Sequence, residues 1–262
     1  MFSPDNGESI PKIPGYGGLL GSLKHELVYI NIPKSGCTTI KNYLYYLDRG
    51  VFYDQPLHIH FDHSALLRSD RQPMELLAKL TRRCRVFTFI REPVSRVYSS
   101  YNEKIHNVDR YSFRSIRSYL MESYGLQFPE TGEISLDNHI SNFRLFLNFL
   151  FDNLAGNSPI RQDYHWLPQH EILRQHSRKV VIDFIGIVET FERDFSELLF
   201  GARVPNSLPF DRRFNEGPAG LYPLKQVIDS DIRARLMELY KLDIEFYALR
   251  KSIGRYERSA IP

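Results

Sequence analysis

The sequence predicts an α/β domain, a parallel sheet flanked by helices. Two observations predict it. Short apolar runs recur at "ELVYINI" (26–32), "RVFTFI" (85–90) and "KVVIDFIGIVE" (179–189), the pattern of strands buried on both faces. Each run is followed, directly or through a loop, by a helical pattern. Strands alternating with helices in this way place helices on both faces of a parallel sheet.

The elements follow in order. Residues 1–24 are rich in Gly, Pro and Ser and are expected to form a flexible N-terminal arm, leaving 25–262 as a single domain. The first strand leads into the helix "TTIKNYLYYL" (38–47), and residues 51–72 are mixed and carry a histidine cluster. "PMELLAKLTRR" (73–83) reads as a helix with Pro73 in its first turn. The second strand leads into "PVSRVYSSYNEKI" (93–105), a helix opened by Pro93. Residues 110–160 are mostly helical, including "NHISNFRLFLNFLF" (138–151). "TFERDFSELLF" (190–200) is the helix behind the third strand, and "SDIRARLMELYKLDIEFYALR" (230–250) closes the domain as one long helical stretch.

Composition narrows the function classes. The chain has 262 residues, 42% hydrophobic and 25% charged, which is ordinary for a globular protein able to bury a sizeable core. A net charge of +3 gives no reason to expect nucleic acid as a partner. The two cysteines, Cys37 and Cys84, imply no disulfide framework. The longest apolar runs, such as "FLNFLF" (146–151), are too short for a transmembrane segment, and the first residues lack a signal pattern. A chain complete as given is expected to be cytoplasmic.

Two loops carry the chemistry. In a parallel sheet, ligands sit at the carboxyl ends of the strands. "PKSGCTT" (33–39) lies there, between the first strand and its helix. Free backbone N–H groups and the helix dipole make such a junction an anion site. Gly36 lets the backbone approach, Thr38 and Thr39 add hydroxyls, and Lys34 adds a point charge. The lysine precedes the single glycine, so this is not a Walker A loop. An ordinary helix start with a threonine cap is the alternative. In the second loop, Arg91 ends a strand and Ser99 stands eight positions later in the next helix. The two can grip one phosphate, unless Arg91 pairs with a local carboxylate such as Glu92. Together the loops suit a ligand with anionic groups at two places.

The pair "PKSGCTT" and "IREPVSRVYSSY" (90–101) resembles the sulfotransferases that use 3′-phosphoadenosine 5′-phosphosulfate. "FIREPVSRVYSSYNEK" (89–104) is most similar to the Golgi carbohydrate sulfotransferases of the chondroitin, dermatan and HNK-1 type, and more distantly to the heparan uronosyl 2-O-sulfotransferases. "DYHWLPQ" (163–169), "DFIGIVETFERDF" (183–195) and "LYKLDIEFY" (239–247) agree. The resemblance implies a P-loop-like sulfotransferase core and an in-line transfer of a sulfuryl group to a hydroxyl acceptor, a glycan or glycolipid, without a metal. It implies that Pro33, Lys34, Ser35, Gly36, Cys37, Thr38 and Thr39 hold the 5′-phosphosulfate, with Lys34 on the bridging oxygen, and that Arg91 and Ser99 hold the 3′-phosphate. Cys37 reads as a small loop filler. The chain lacks the membrane anchor and cysteine-rich pattern of the animal enzymes, which points to a soluble, bacterial-type relative.

"LHIHFDHS" (57–64) is open to more than one reading. His58, His60, Asp62 and His63 match H-x-H-x-D-H, the pattern of binuclear metallo-hydrolases. They also suit surface histidines in a loop. In the related carbohydrate sulfotransferases a histidine general base lies between the two donor loops, and His60 matches it by spacing, with His58, His63 and His165 as alternatives. A kinase-like nucleotide-binding protein is weakened by the missing Walker A pattern. Arg82, Arg83 and Arg85 read as solvated. Arg110, Arg114 and Arg117 suit either a solvated helix face or an anionic glycan, and Arg212, Arg213 and Asn215 suit a loop closing near the nucleotide.

Overall fold

The computed structural model of the chain describes residues 19–22, 24–62, 64–68, 83–107, 113–128, 134–205, 208–210, 212, 214 and 222–253. All but Arg83 of the helix expected over 73–83, together with His63, Arg110, Arg213 and Asn215, lies outside the described residues.

Five strands form one sheet: β1 (Leu19–Ser22), β2 (Leu27–Ile30), β3 (Leu67–Arg68), β4 (Arg85–Ile90) and β5 (Phe184–Ile187), in the order β3-β1-β2-β4-β5. The expected parallel core is present, because β2 pairs parallel with β4, and β4 with β5. The sheet is extended by two antiparallel pairings, β1 with β2 and β1 with β3. β1 corrects the boundary of the arm expected over 1–24. Its Gly21 looked like loop chemistry, but a Cβ there would stand 2.7 Å from the Leu27 carbonyl oxygen. The strand needs that glycine to lie close to its neighbour.

The apolar runs hide a period of two. Val28, Ile30, Val86, Ile90, Ile185 and Ile187 face one side of the sheet. Leu27, Tyr29, Phe87, Phe89 and Phe184 face the other, in a cluster rich in aromatic contacts. α1 (Cys37–Arg49) covers the aromatic side. α2 (Pro93–Ser100) follows β4 and runs into a π-helical segment, Tyr101–His106, rather than continuing as one α-helix. α3 (Arg114–Tyr124) and α4 (Leu136–Leu154) fill the expected helical region. α5 (Gln169–Ser177) packs on the aliphatic side, and α6 (Phe191–Gly201) on the aromatic side. The chain continues through a short α7 (Leu224–Val227). The closing stretch divides into α8 (Ser230–Leu239) and α9 (Lys241–Ser252). The break is Tyr240, whose buried ring turns inward so that its hydroxyl donates to the Trp166 carbonyl at 2.6 Å.

Candidate active site

The two loops meet at the carboxyl edge of β2 and β4. Lys34 and Gly36 both take left-handed backbone angles, with φ of 66° and 71°. Glycine adopts that region freely, whereas lysine is strained there. Among the described residues no side chain caps the start of α1, and its first turn holds no acidic residue. The first N–H groups of the helix thus remain available to an anion. Ser35 is buried and donates from its hydroxyl to Gln169 Oε1 at 3.1 Å. Cys37 is half-buried against the aromatic core, as a filler should be. The two threonines diverge. Thr39 donates to the Phe214 carbonyl at 3.1 Å and accepts from the Phe214 N–H at 3.2 Å, so its hydroxyl is committed to the fold. Thr38 Oγ1 instead meets His60 Nε2 at 2.8 Å.

Arg91 stands where expected, just past β4, and its Nη1 donates to the Lys34 carbonyl at 3.2 Å. Glu92 does not hold it by a direct pair. That carboxylate caps α2, accepting from Val94 N and Ser95 N at 3.1 and 2.7 Å. Ser99 lies partly exposed near the end of α2. Gln169 joins the two loops: its Oε1 also accepts from Arg91 N at 2.9 Å, and its Nε2 donates to the Arg91 carbonyl at 2.9 Å. Behind it Arg96 is fully buried and donates to the carbonyls of Pro33, Tyr164 and Leu167 at 3.0, 2.7 and 2.9 Å.

His60 sits on the inner side of the histidine loop, half-buried, with Nδ1 facing Lys41 Nζ at 2.8 Å. An ammonium has no lone pair, so Nδ1 accepts and Nε2 carries the proton toward Thr38. Burial first, and then Lys41, lower the pKa of His60 to about 3. Asp62 points elsewhere, accepting from Tyr53 Oη at 2.7 Å and from Ser64 Oγ at 2.6 Å. His58 is exposed. His60 and Asp62 therefore do not converge, and Lys41 occupies one of the two ring nitrogens of His60. Among the described residues no group of three or more His, Cys, Asp or Glu side chains can hold a metal ion. Chelator-treated protein is expected to keep its activity; stoichiometric zinc or manganese lost together with activity would restore the metallo-hydrolase reading.

A second set of charges closes the site. Glu103, in the π-helical segment, pairs with Lys34 through Oε2 and with Lys104 Nζ through Oε1, the latter at 3.0 Å. His165 is buried, and its Nδ1 meets Asp163 Oδ1 at 2.5 Å. Burial favours the neutral imidazole, so Nδ1–H donates and the lone pair stays on Nε2. The expected arginine face does not exist as such. Arg117 is buried and donates to the Lys104 and Asn107 carbonyls at 3.1 and 3.3 Å, while Arg114 is exposed. Arg212 lies 5.2 Å from the Phe52 ring centre.

Residues 19–249 match the family model described as the sulfotransferase family. The chain belongs to that family. It is 28% identical over 192 residues to carbohydrate sulfotransferase 14 of Danio rerio, covering 72% of this chain and 49% of the relative. With the Homo sapiens protein of that name it shares 27% over 241 residues, 88% of this chain and 59% of the relative. With carbohydrate sulfotransferase 12 of Mus musculus it shares 22% over 272 residues, 95% and 64% of the two chains. The chain thus spans about half to two-thirds of the length of these relatives. No solved structure matches it. Membership of this family displaces the metallo-hydrolase and kinase-like alternatives. Lys41, Arg96, Glu103 and Gln169 also contact residues of this candidate site, and no signal in the sequence marks what they do there. Each acts through a partner distant in the chain; Arg96, Glu103 and Gln169 stood in stretches singled out by resemblance, and Lys41 did not.

Proposed function

We propose that the chain moves a sulfuryl group from 3′-phosphoadenosine 5′-phosphosulfate to a hydroxyl of a carbohydrate. The observation that carries this reading is the joining of the two loops: Arg91 reaches the Lys34 carbonyl, and Gln169 binds both Ser35 and Arg91. An uncapped helix start and an arginine site at one sheet edge suit a ligand with two separated phosphates. The names of the relatives support the carbohydrate acceptor.

The residues divide the work. The N–H groups of Cys37, Thr38 and Thr39 and the Thr38 hydroxyl bind the 5′-phosphate, within the loop that Pro33, Ser35 and Gly36 shape. Arg91 and Ser99 bind the 3′-phosphate. Lys34 donates to the bridging oxygen, which keeps the electron pair as its bond to sulfur breaks and the acceptor oxygen bonds to sulfur in line. His60 takes the acceptor's proton, through Nδ1, once Lys41 yields that position. His165 offers a second reading, because Asp163 orients it as a base is oriented.

The test of the donor is selective binding. Arg91→Ala and Ser99→Ala are expected to weaken adenosine 3′,5′-bisphosphate far more than adenosine 5′-monophosphate in calorimetric titrations. The loss of charge-assisted bonds should amount to about ten- to a hundredfold for the arginine. Equal losses for the two nucleotides would remove Arg91 and Ser99 from the 3′-phosphate.

A further inference from the structure

Lys34 is the group assigned to the leaving oxygen, yet its ammonium rests on a carboxylate, Glu103. Three features show that this contact is built in. The chain winds as a π-helix over Tyr101–His106, closed by Asn107 N donating to the Asn102 carbonyl at 3.0 Å. Such segments re-aim side chains relative to a regular helix. Lys104, which holds the other carboxylate oxygen, is itself fixed: its side chain is 7% exposed and its ammonium lies 5.3 Å from the Phe113 ring centre. Finally, burial pushes the Glu103 carboxyl up while Lys34 and Lys104 pull it down, and the lysines prevail at about 2, so it stays ionised at physiological pH.

We infer that Glu103 is a positioning residue for Lys34, competing with the donor's leaving phosphate for the lysine ammonium. The inference rests on the sulfuryl-transfer reading above. Before reaction the bridging oxygen carries little charge, and the carboxylate is the stronger acceptor. As the sulfur–oxygen bond breaks, the electron pair collects on that oxygen, and it wins the ammonium. An interaction that strengthens toward the transition state lowers the barrier, whereas one completed in the ground state does not. Glu103 thus withholds Lys34 until its charge is needed. A merely structural ion pair has the opposite sign: its loss loosens the loop and weakens nucleotide binding.

Calorimetric titration of adenosine 3′,5′-bisphosphate reads that sign. Glu103→Gln is expected to bind it tighter than wild type, on the order of tenfold for freeing the Lys34 ammonium to make one charge-assisted bond to the phosphate. Glu103→Asp, which keeps the charge, should stay close to wild type. In a Lys34→Ala background most of the gain should vanish, because Glu103 acts through Lys34. Should the glutamine variant fail to fold, Glu103→Ala carries the same expectation. Unchanged or weaker binding by the neutral variant, with wild type binding normally, overturns the inference and leaves the donor assignment standing. A gain of full size without Lys34 also overturns it. If wild type does not bind the nucleotide, the donor assignment falls, and the inference with it.

Discussion

Lys34→Ala is expected to lower turnover by about two to three powers of ten, the scale for losing one preorganised donor to a developing oxyanion. The measurement is transfer of labelled sulfate from 3′-phosphoadenosine 5′-phosphosulfate to desulfated chondroitin or dermatan. The backbone around Lys34 should survive the change. Its carbonyl is held by Arg91, and the preceding Pro33 carbonyl by the buried Arg96. The loss is therefore one of charge rather than of loop shape. Binding of adenosine 3′,5′-bisphosphate should weaken less than turnover falls, because the α1 N–H groups and Arg91 remain. Near-normal turnover in this variant would place the stabilisation of the leaving oxygen elsewhere.

His60→Ala is expected to lower kcat by roughly two to four powers of ten, the usual cost of losing a general base. Nucleotide affinity should change little, since His60 meets the loop at the Thr38 hydroxyl. The pH profile follows from its environment. Burial and Lys41 set its pKa at about 3. A base works in its unprotonated form, which persists above that value and is lost only as pH falls through it. The kcat/KM profile should therefore show no acidic limb from His60 near the ordinary histidine value of about 6.5. A limb at that value that disappears in His60→Ala would contradict the assigned environment. If His60→Ala keeps its turnover while His165→Ala and Asp163→Asn lose it, the base is the His165–Asp163 pair.

The local parts of this protein were legible in the sequence alone. The apolar runs located β2, β4 and β5, and "RVFTFI" matches β4 residue for residue. The strand–loop–helix order put Lys34 and Arg91 at strand ends, and the two loop motifs pointed to the family. These are properties of short windows, set by side-chain period, turn chemistry and the start of a helix. What those windows face came only with the packed chain. Packing gave the Gly-rich stretch around Gly21 a strand partner. It split the last helix at Tyr240 and committed the Thr39 hydroxyl to Phe214, 175 residues away. It tied both loops to Gln169, set Lys41 against His60, and set Glu103 against Lys34 from 69 residues away. No local pattern encodes such pairs. A buried polar group takes whichever partner the packed fold brings within hydrogen-bond reach, and that partner is known only once the chain has closed on itself.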